Sequence, residues 1–274
     1  GNGAARLVPC RYSAAPMEFI RIIEDASARF LAAAREAPAD GPVPCCPDWR
    51  VADLLWHLTE VQHFWGTIVA ERQMEPDVAD LGRPADEELP DLFADRSTRL
   101  AAVLADADPY DECWSWDEHL GGSVAWVARR QAHEALVHRV DAEQAAGWEL
   151  EPIPVDVAVD GVDECLSVQM SGIPAWAEFV SGGGTVELYC TDADRSFRFE
   201  IGRMVGTSLA SGRTYDLSVI ELRDELADPS VVIAAPAVEL YLWLWGRGGH
   251  GGFTVDGDQT MVGMVRSIAA EATG

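Results

Sequence analysis

Glu134 and His138 lie four residues apart in a segment, 125–142, that contains neither Gly nor Pro and is rich in helix formers. That spacing puts a carboxylate and an imidazole on one helix face. His57 sits among apolar neighbours in Leu54-Leu-Trp-His-Leu-Thr-Glu, where burying an unpaired imidazole is costly. A metal ion accounts for all three residues together. Two neutral imidazoles and one carboxylate leave a divalent cation with net positive charge and an open coordination position. This is the ligand pattern of a catalytic zinc site, as opposed to the closed four-ligand set of a structural one. Singly, each residue has a plainer reading: His57 as a core histidine with a satisfied hydrogen bond, Glu134 and His138 as a solvated helical pair.

The surrounding residues divide in the same way. Asp141, three residues after His138, either holds the imidazole through its other ring nitrogen and fixes the tautomer, or pairs at the surface with Arg139 or Arg130. His63 and His133 are candidates for the pocket only, and His63 faces another direction from His57 because a helix turns about 100° per residue. Trp49, Trp56, Trp65, Trp243 and Trp245 either line an apolar pocket or, as aromatic residues at helical spacing more often do, fill the core. The run Gly246-Arg-Gly-Gly-His-Gly-Gly lacks the Lys and the flanking strand and helix of a nucleotide-binding loop. It reads as a flexible loop, and Ser181-Gly-Gly-Gly-Thr reads as a turn or hinge.

Four helices must position the three candidate ligands. Phe19, Ile22, Ile23, Ala26, Phe30, Leu31 and Ala34 follow helical spacing over 18–37. After a loop over 38–47, a second helix runs over 51–72, with Asp53 in its first turn and Asp48 a better N-cap than Arg50. Leu92, Phe93, Leu100, Val103 and Leu104 mark a third helix, and 123–146 is the fourth. Connections of moderate length predict an antiparallel bundle able to hold a metal between facing helices. Beyond Gly147 the texture changes. Pro152 and Pro154 mark a linker, 186–191 and 196–202 alternate as strands around a hairpin turn at 192–195, and 231–235 is a further short strand. Helical patterns over 237–246 and 260–272 complete a mixed α and β half.

The chain has 274 residues, 48% of them hydrophobic, enough for a large core and for two domains of roughly 100–200 residues each. A net charge of −26 argues against nucleic acid, whose phosphates require clustered Lys and Arg, and against an anionic membrane surface. No apolar run of the roughly 20 residues needed for a membrane span is present, nor is a secretory leader, so a cytoplasmic protein is expected. Cys10, Cys45, Cys46, Cys113, Cys165 and Cys190 lack metal-binding or disulfide spacing. Reduced thiols are the default, with the adjacent Cys45-Cys46 pair either redox-active or without a special role. Residues 1–16 carry no periodicity and are set aside as a tag or upstream extension.

Three segments carry a family resemblance. Pro44-Cys-Cys-Pro-Asp-Trp49-Arg-Val-Ala-Asp53-Leu-Leu-Trp-His57-Leu resembles the opening signature of the mycothiol-dependent maleylpyruvate isomerase family, a Pro-Cys-x-x-Trp loop leading into an Asp-Leu-x-x-His-Leu helix. Glu134-Ala-Leu-Val-His138-Arg-Val-Asp141-Ala is similar to that family's Glu-x-x-x-His-Arg-x-Asp run. The segment from Ala237 to Arg247 resembles its Gly-Arg motif near the C-terminus. Arg50 departs from the Ser or Thr often found before the helix, and the chain is longer and more acidic than expected of the isomerase itself.

The resemblance implies an α plus α/β protein: a DinB-like antiparallel four-helix bundle over 17–148 and a smaller α/β domain of sterol-carrier-like topology over 149–274. It places a divalent metal, usually zinc, on His57, Glu134 and His138, and implies mycothiol as thiol cosubstrate. Arg247 either completes the dipole of its helix or, as the resemblance implies, reaches an interdomain cleft and binds a substrate carboxylate. The expected activity is addition of a small thiol to an electrophilic small molecule, as a thiol S-transferase whose adduct persists; the alternative is a cis–trans isomerase of the maleylpyruvate type, which expels the thiol again. A noncatalytic metal-containing carrier or sensor is the competing class. As partners, only the small thiol and the electrophile are expected, on a monomer or homodimer.

Overall fold

The computed structural model describes residues 16–117, 121–209, 211–224 and 228–273. Cys10 and nearly all of the segment set aside above lie outside them. The N-terminal half is a bundle of α1 (Pro16–Glu36), α2 (Val51–Glu71), α3 (Leu89–Asp106) and α4 (Val124–Ala145), in which α1 packs on α4 and α3, and α2 on α3 and α4. Phe19, Ile23, Ala26, Phe30 and Ala33 of α1 are buried, as their spacing requires. Helix α4 is different, because it is buried on almost every side, together with Arg129, Arg130, Gln131, His133, Arg139 and Glu143. Its polar groups must therefore be satisfied inside the protein. Ser123 caps it by accepting the Trp126 backbone N–H at 3.2 Å.

Two details before α2 depart from expectation. Residues 38–47 are not plain loop, since β1 (Pro42–Val43) pairs with β2 (Cys46–Arg50). The ribbon lays Trp49 and the two adjacent cysteines beside α2 and α4. The N-cap is Arg50, not Asp48. Asp53 accepts the Arg50 backbone N–H at 3.0 Å and two guanidinium hydrogen bonds, so an acid in the first turn supplies what the cap side chain lacks.

The C-terminal half is a five-stranded sheet in the order β5-β4-β3-β6-β7: β3 (Ala177–Cys190), β4 (Arg195–Thr207), β5 (Thr214–Leu222), β6 (Val231–Ala235) and β7 (Thr254–Gly257). All neighbours are antiparallel except β3 and β6. Alternate residues Val186, Leu188 and Cys190 of β3 and Phe197, Phe199 and Ile201 of β4 turn to a buried face. They share a core with α5 (Val155–Glu164), α6 (Ala237–Leu244) and α7 (Thr260–Thr273). Leu136, Val137 and Val140 of α4 belong to the same core, so the two halves are joined by continuous apolar packing. A π-turn, Cys165–Gln169, follows α5. Ser181-Gly-Gly-Gly-Thr is not the turn it suggests but lies inside β3, where the register to β4 slips between Ser181 and Gly184. Gly183, at φ 75°, supplies the positive φ the bulge needs. Among the described residues, no helix is long and apolar enough to cross a membrane.

Candidate metal centre

His57 comes from α2, Glu134 and His138 from α4, and the structure brings one ligand atom of each to within 4.8 Å of one another. Both imidazoles aim Nε2 at the same carboxylate oxygen, Glu134 Oε1, each at 3.2 Å. The outward-facing atoms of His138 and Glu134 are held by other partners. His138 Nδ1 faces Asp141 Oδ2 at 2.9 Å, which makes Nδ1 a donor and turns Nε2 toward the centre, where it would serve as the ligand atom. Arg130 Nη2 donates to Glu134 Oε2 at 2.7 Å, reserving Oε1 for the centre. Trp49 of β2 packs its ring 4.8 Å from that of His57 and 6.4 Å from that of His138, centroid to centroid.

Behind these residues lies a second layer of charge. Arg130 also donates to Glu164 of α5, and its guanidinium stacks 5.0 Å from the Trp245 ring. Asp141, fully buried, receives Arg247 Nε at 2.9 Å and Nη2 at 2.7 Å. Arg247 Nη1 donates to the Trp245 carbonyl at the end of α6. Arg247 thus completes its helix end and grips Asp141 bidentately. Asp141 does not pair with Arg139 or Arg130; Arg139 instead faces Glu143 and Glu151.

Burial alone would lower the His138 pKa, but hydrogen bonds to Asp141 and Glu134, and their charges, raise it to about 9. Burial would raise Glu134, yet the two imidazoles and Arg130 hold it well below the usual carboxylate range. Asp141 is likewise pushed up by burial and held down, on balance, by His138 and Arg247. The centre is an acid-rich cage that favours positive charge, which suits a cation.

The centre opens onto a cleft of about 610 Å³ between the two halves, lined also by Cys45, Cys46, Trp49, Trp116, Trp245, Arg247 and Arg266. Burial, reinforced by Asp141 and opposed by Arg247, raises both thiols above the ordinary cysteine value. Neither is poised as a nucleophile. His63 bonds the Ala79 carbonyl and does not line the cleft. His133 is buried between Asp160 Oδ2, at 2.9 Å, and the Tyr241 hydroxyl, at 3.2 Å, and ties α4 to α5 and α6. Trp49 and Trp245 line the cleft, whereas Trp65 and Trp243 are core residues and Trp56 packs at the edge of the core. Arg130 was readable four residues before Glu134. Trp116, Gln169 and Arg266 reach the cleft only through tertiary packing and leave no local signal.

The mycothiol maleylpyruvate isomerase N-terminal domain family matches residues 20–143, and the corresponding C-terminal domain family matches residues 156–263. Among solved structures, the crystal structure of the mycothiol-dependent maleylpyruvate isomerase superposes with a TM-score of 0.61 at 12% identity, covering 89% of this chain and 93% of that one. A histidine-to-alanine mutant of the same enzyme superposes at 0.60, with the same identity and coverage. At that identity the likeness speaks to fold alone. Comparison with curated proteins finds no match.

Proposed function

From the premise that the chain belongs to the mycothiol-dependent maleylpyruvate isomerase family, we propose that it is a metal-dependent enzyme that takes up mycothiol and adds its sulfur to an electrophilic small molecule. The observation that carries the proposal is the convergence of two imidazole Nε2 atoms on one oxygen of Glu134 at the floor of a cleft. His57, Glu134 and His138 would hold the ion, and the donor set fits a divalent cation such as zinc. A divalent cation so held lowers the pKa of a coordinating thiol and supplies thiolate at neutral pH.

The chain's own residues do the rest. Asp141 fixes the His138 ring, Arg247 fixes Asp141, and Arg130 occupies Oε2 of Glu134, so that Oε1 would be the oxygen offered to an ion. Arg247 serves the chemistry as a positioning residue, through the carboxylate it grips. The raised pKa of Cys45 and Cys46 supports a nucleophile brought in by the ligand. Among the described residues no fourth His, Cys, Asp or Glu joins the cluster, which weighs against a closed structural site in a noncatalytic carrier or sensor. The cytoplasm, where free cysteines and small thiols stay reduced, is the setting we propose.

If the adduct is released, the protein is a thiol S-transferase. If the adduct rotates about the former double bond and expels the thiol, it is a cis–trans isomerase, a reading supported by the family to which both halves of the chain belong. Mass spectrometry of natively purified protein beside His57→Ala/His138→Ala tests the site. About one divalent ion per chain, lost in the folded variant, is expected, and unchanged metal would overturn the assignment. Incubation with mycothiol and maleylpyruvate then separates the outcomes: a product heavier by the thiol marks transfer, and an isomer of unchanged mass marks isomerisation.

A further inference from the structure

Among the described residues three guanidinium groups line the cleft, and two are fully engaged. Arg130 is shared between Glu134 and Glu164, and Arg247 between Asp141 and the Trp245 carbonyl. Arg266 of α7 differs, since among the described residues it finds no hydrogen-bond or ion-pair partner, and its Nη1 is buried without an acceptor. In a chain with 46 carboxylates against 20 basic residues, a cleft arginine without a carboxylate is conspicuous. Burial, with the charge of Arg247, depresses its pKa, opposed only in part by Cys165. Room is made for it, because Gly246, at φ 77°, has no Cβ, and a Cβ there would collide with Arg266 Nη2. A partly desolvated guanidinium beside a second one is unfavourable until an anion enters, and a carboxylate matches its fork.

The same cleft presents an aromatic surface. Trp116 is 44% exposed while packing edge-on against Trp126 and near Trp65, at centroid distances of 4.8 Å and 5.5 Å. Its ring is braced from behind and open in front. Resting on the reading of this cleft as the substrate site, we infer that the electrophile is a carboxylate with a ring-sized apolar body: Arg266 receives the carboxylate, and Trp116 the apolar body.

The test is calorimetric titration of the metal-loaded full chain with cinnamate, its neutral analogue cinnamamide, and the smaller crotonate, with metal content and circular dichroism recorded for each variant. Wild-type protein is expected to bind cinnamate about tenfold or more tighter than cinnamamide, the scale of a charge-assisted hydrogen-bond pair. It should also prefer cinnamate to crotonate several-fold, the scale of an aromatic contact. Arg266→Gln should abolish the first preference and leave the second, and Trp116→Ala should do the reverse. Arg266→Lys, which keeps the charge but not the fork, should retain part of the first and serves if the glutamine variant fails to fold. Cinnamate binding no tighter than cinnamamide, or a preference that survives Arg266→Gln, would overturn the inference with the metal reading untouched. Wild-type protein without metal would sink the metal reading, while the ligand ratios would still judge Arg266 and Trp116.

Discussion

Replacing Asp141 by Asn separates two jobs done by one carboxylate. Asp141 is fully buried, accepts from His138 Nδ1 at 2.9 Å, and receives Arg247 through two donors at 2.9 and 2.7 Å. The amide keeps the shape but removes the charge, and its NH2 can accept from neither partner. Arg247, whose side chain is 8% exposed, is then a buried cation with little solvent to screen it. Removing one partner of a buried pair costs about 3–5 kcal/mol, most of it the orphaned charge. The loss at the metal is smaller and independent in origin. Without the carboxylate on Nδ1 the His138 ring is no longer fixed, and losing such an orienting partner lowers metal affinity about 10–100-fold, or about 1.4–2.7 kcal/mol. Urea unfolding of chelated protein reads the first quantity, and competition with a chromophoric chelator reads the second. Asp141→Asn combined with Arg247→Met removes the orphan, so at least half of the lost stability should return while metal affinity stays low. Metal affinity within twofold of wild type in Asp141→Asn would refute the orienting role. Failure of the double variant to regain stability would refute the orphan-charge account.

Two further outcomes follow from the buried polar framework. Gly161 lies inside α5, where Ala would ordinarily gain up to about 1 kcal/mol in a helix. Here its Cβ would sit 2.5 Å from a Tyr241 ring carbon and 3.0 Å from the His133 ring, so Gly161→Ala should lower stability by about 1–3 kcal/mol, and an unchanged or raised melting temperature would refute the packing argument. Burial pushes the Asp160 carboxyl up, but the His133 hydrogen bond and Arg129 more than offset this and hold it below the usual range. Because its folded pKa lies below the unfolded value of about 3.9, its contribution is complete above that pH and is lost as pH falls through the folded value. Urea midpoints measured from pH 6 to pH 3 should therefore fall, and Asp160→Asn should be less stable near neutrality with a shallower acid limb.

What was legible in the sequence divides by range. The i,i+4 spacing of Glu134 and His138 needs only a helix, and His57 stands out as a lone histidine in an apolar stretch, although the structure leaves its side chain 34% exposed at the cleft. Those two local facts, with the bundle implied by four helical patterns, suffice to select the three residues that meet. Short-range pattern fails where a partner strand decides. The three glycines from 182 to 184 permit either a turn or a bulge, and only pairing with β4 on both sides makes them a bulge. It also fails for α5, whose short acidic run Val-Asp-Val-Ala-Val-Asp looks like a linker continuation until Asp160 is seen to serve Arg129 and His133 of α4.

The deeper gap concerns which charges are free to act. Arg247 and Arg266 are both arginines near the C-terminus, and the motif Gly246-Arg247 draws attention to the first. A partner 106 residues away, Asp141, takes up the Arg247 fork, while nothing described takes up that of Arg266. Sequence spacing identifies groups able to share a face, but availability for a ligand is a property of the whole set of ion pairs. In so acidic a chain the default fate of a guanidinium is to be neutralised by its own protein. The arginine that escapes that fate inside a cleft is therefore more informative about the ligand than the one in the motif, and exchanging the two assignments is a sharp way to be wrong: Arg247→Gln should act on metal affinity and stability, Arg266→Gln on carboxylate selectivity.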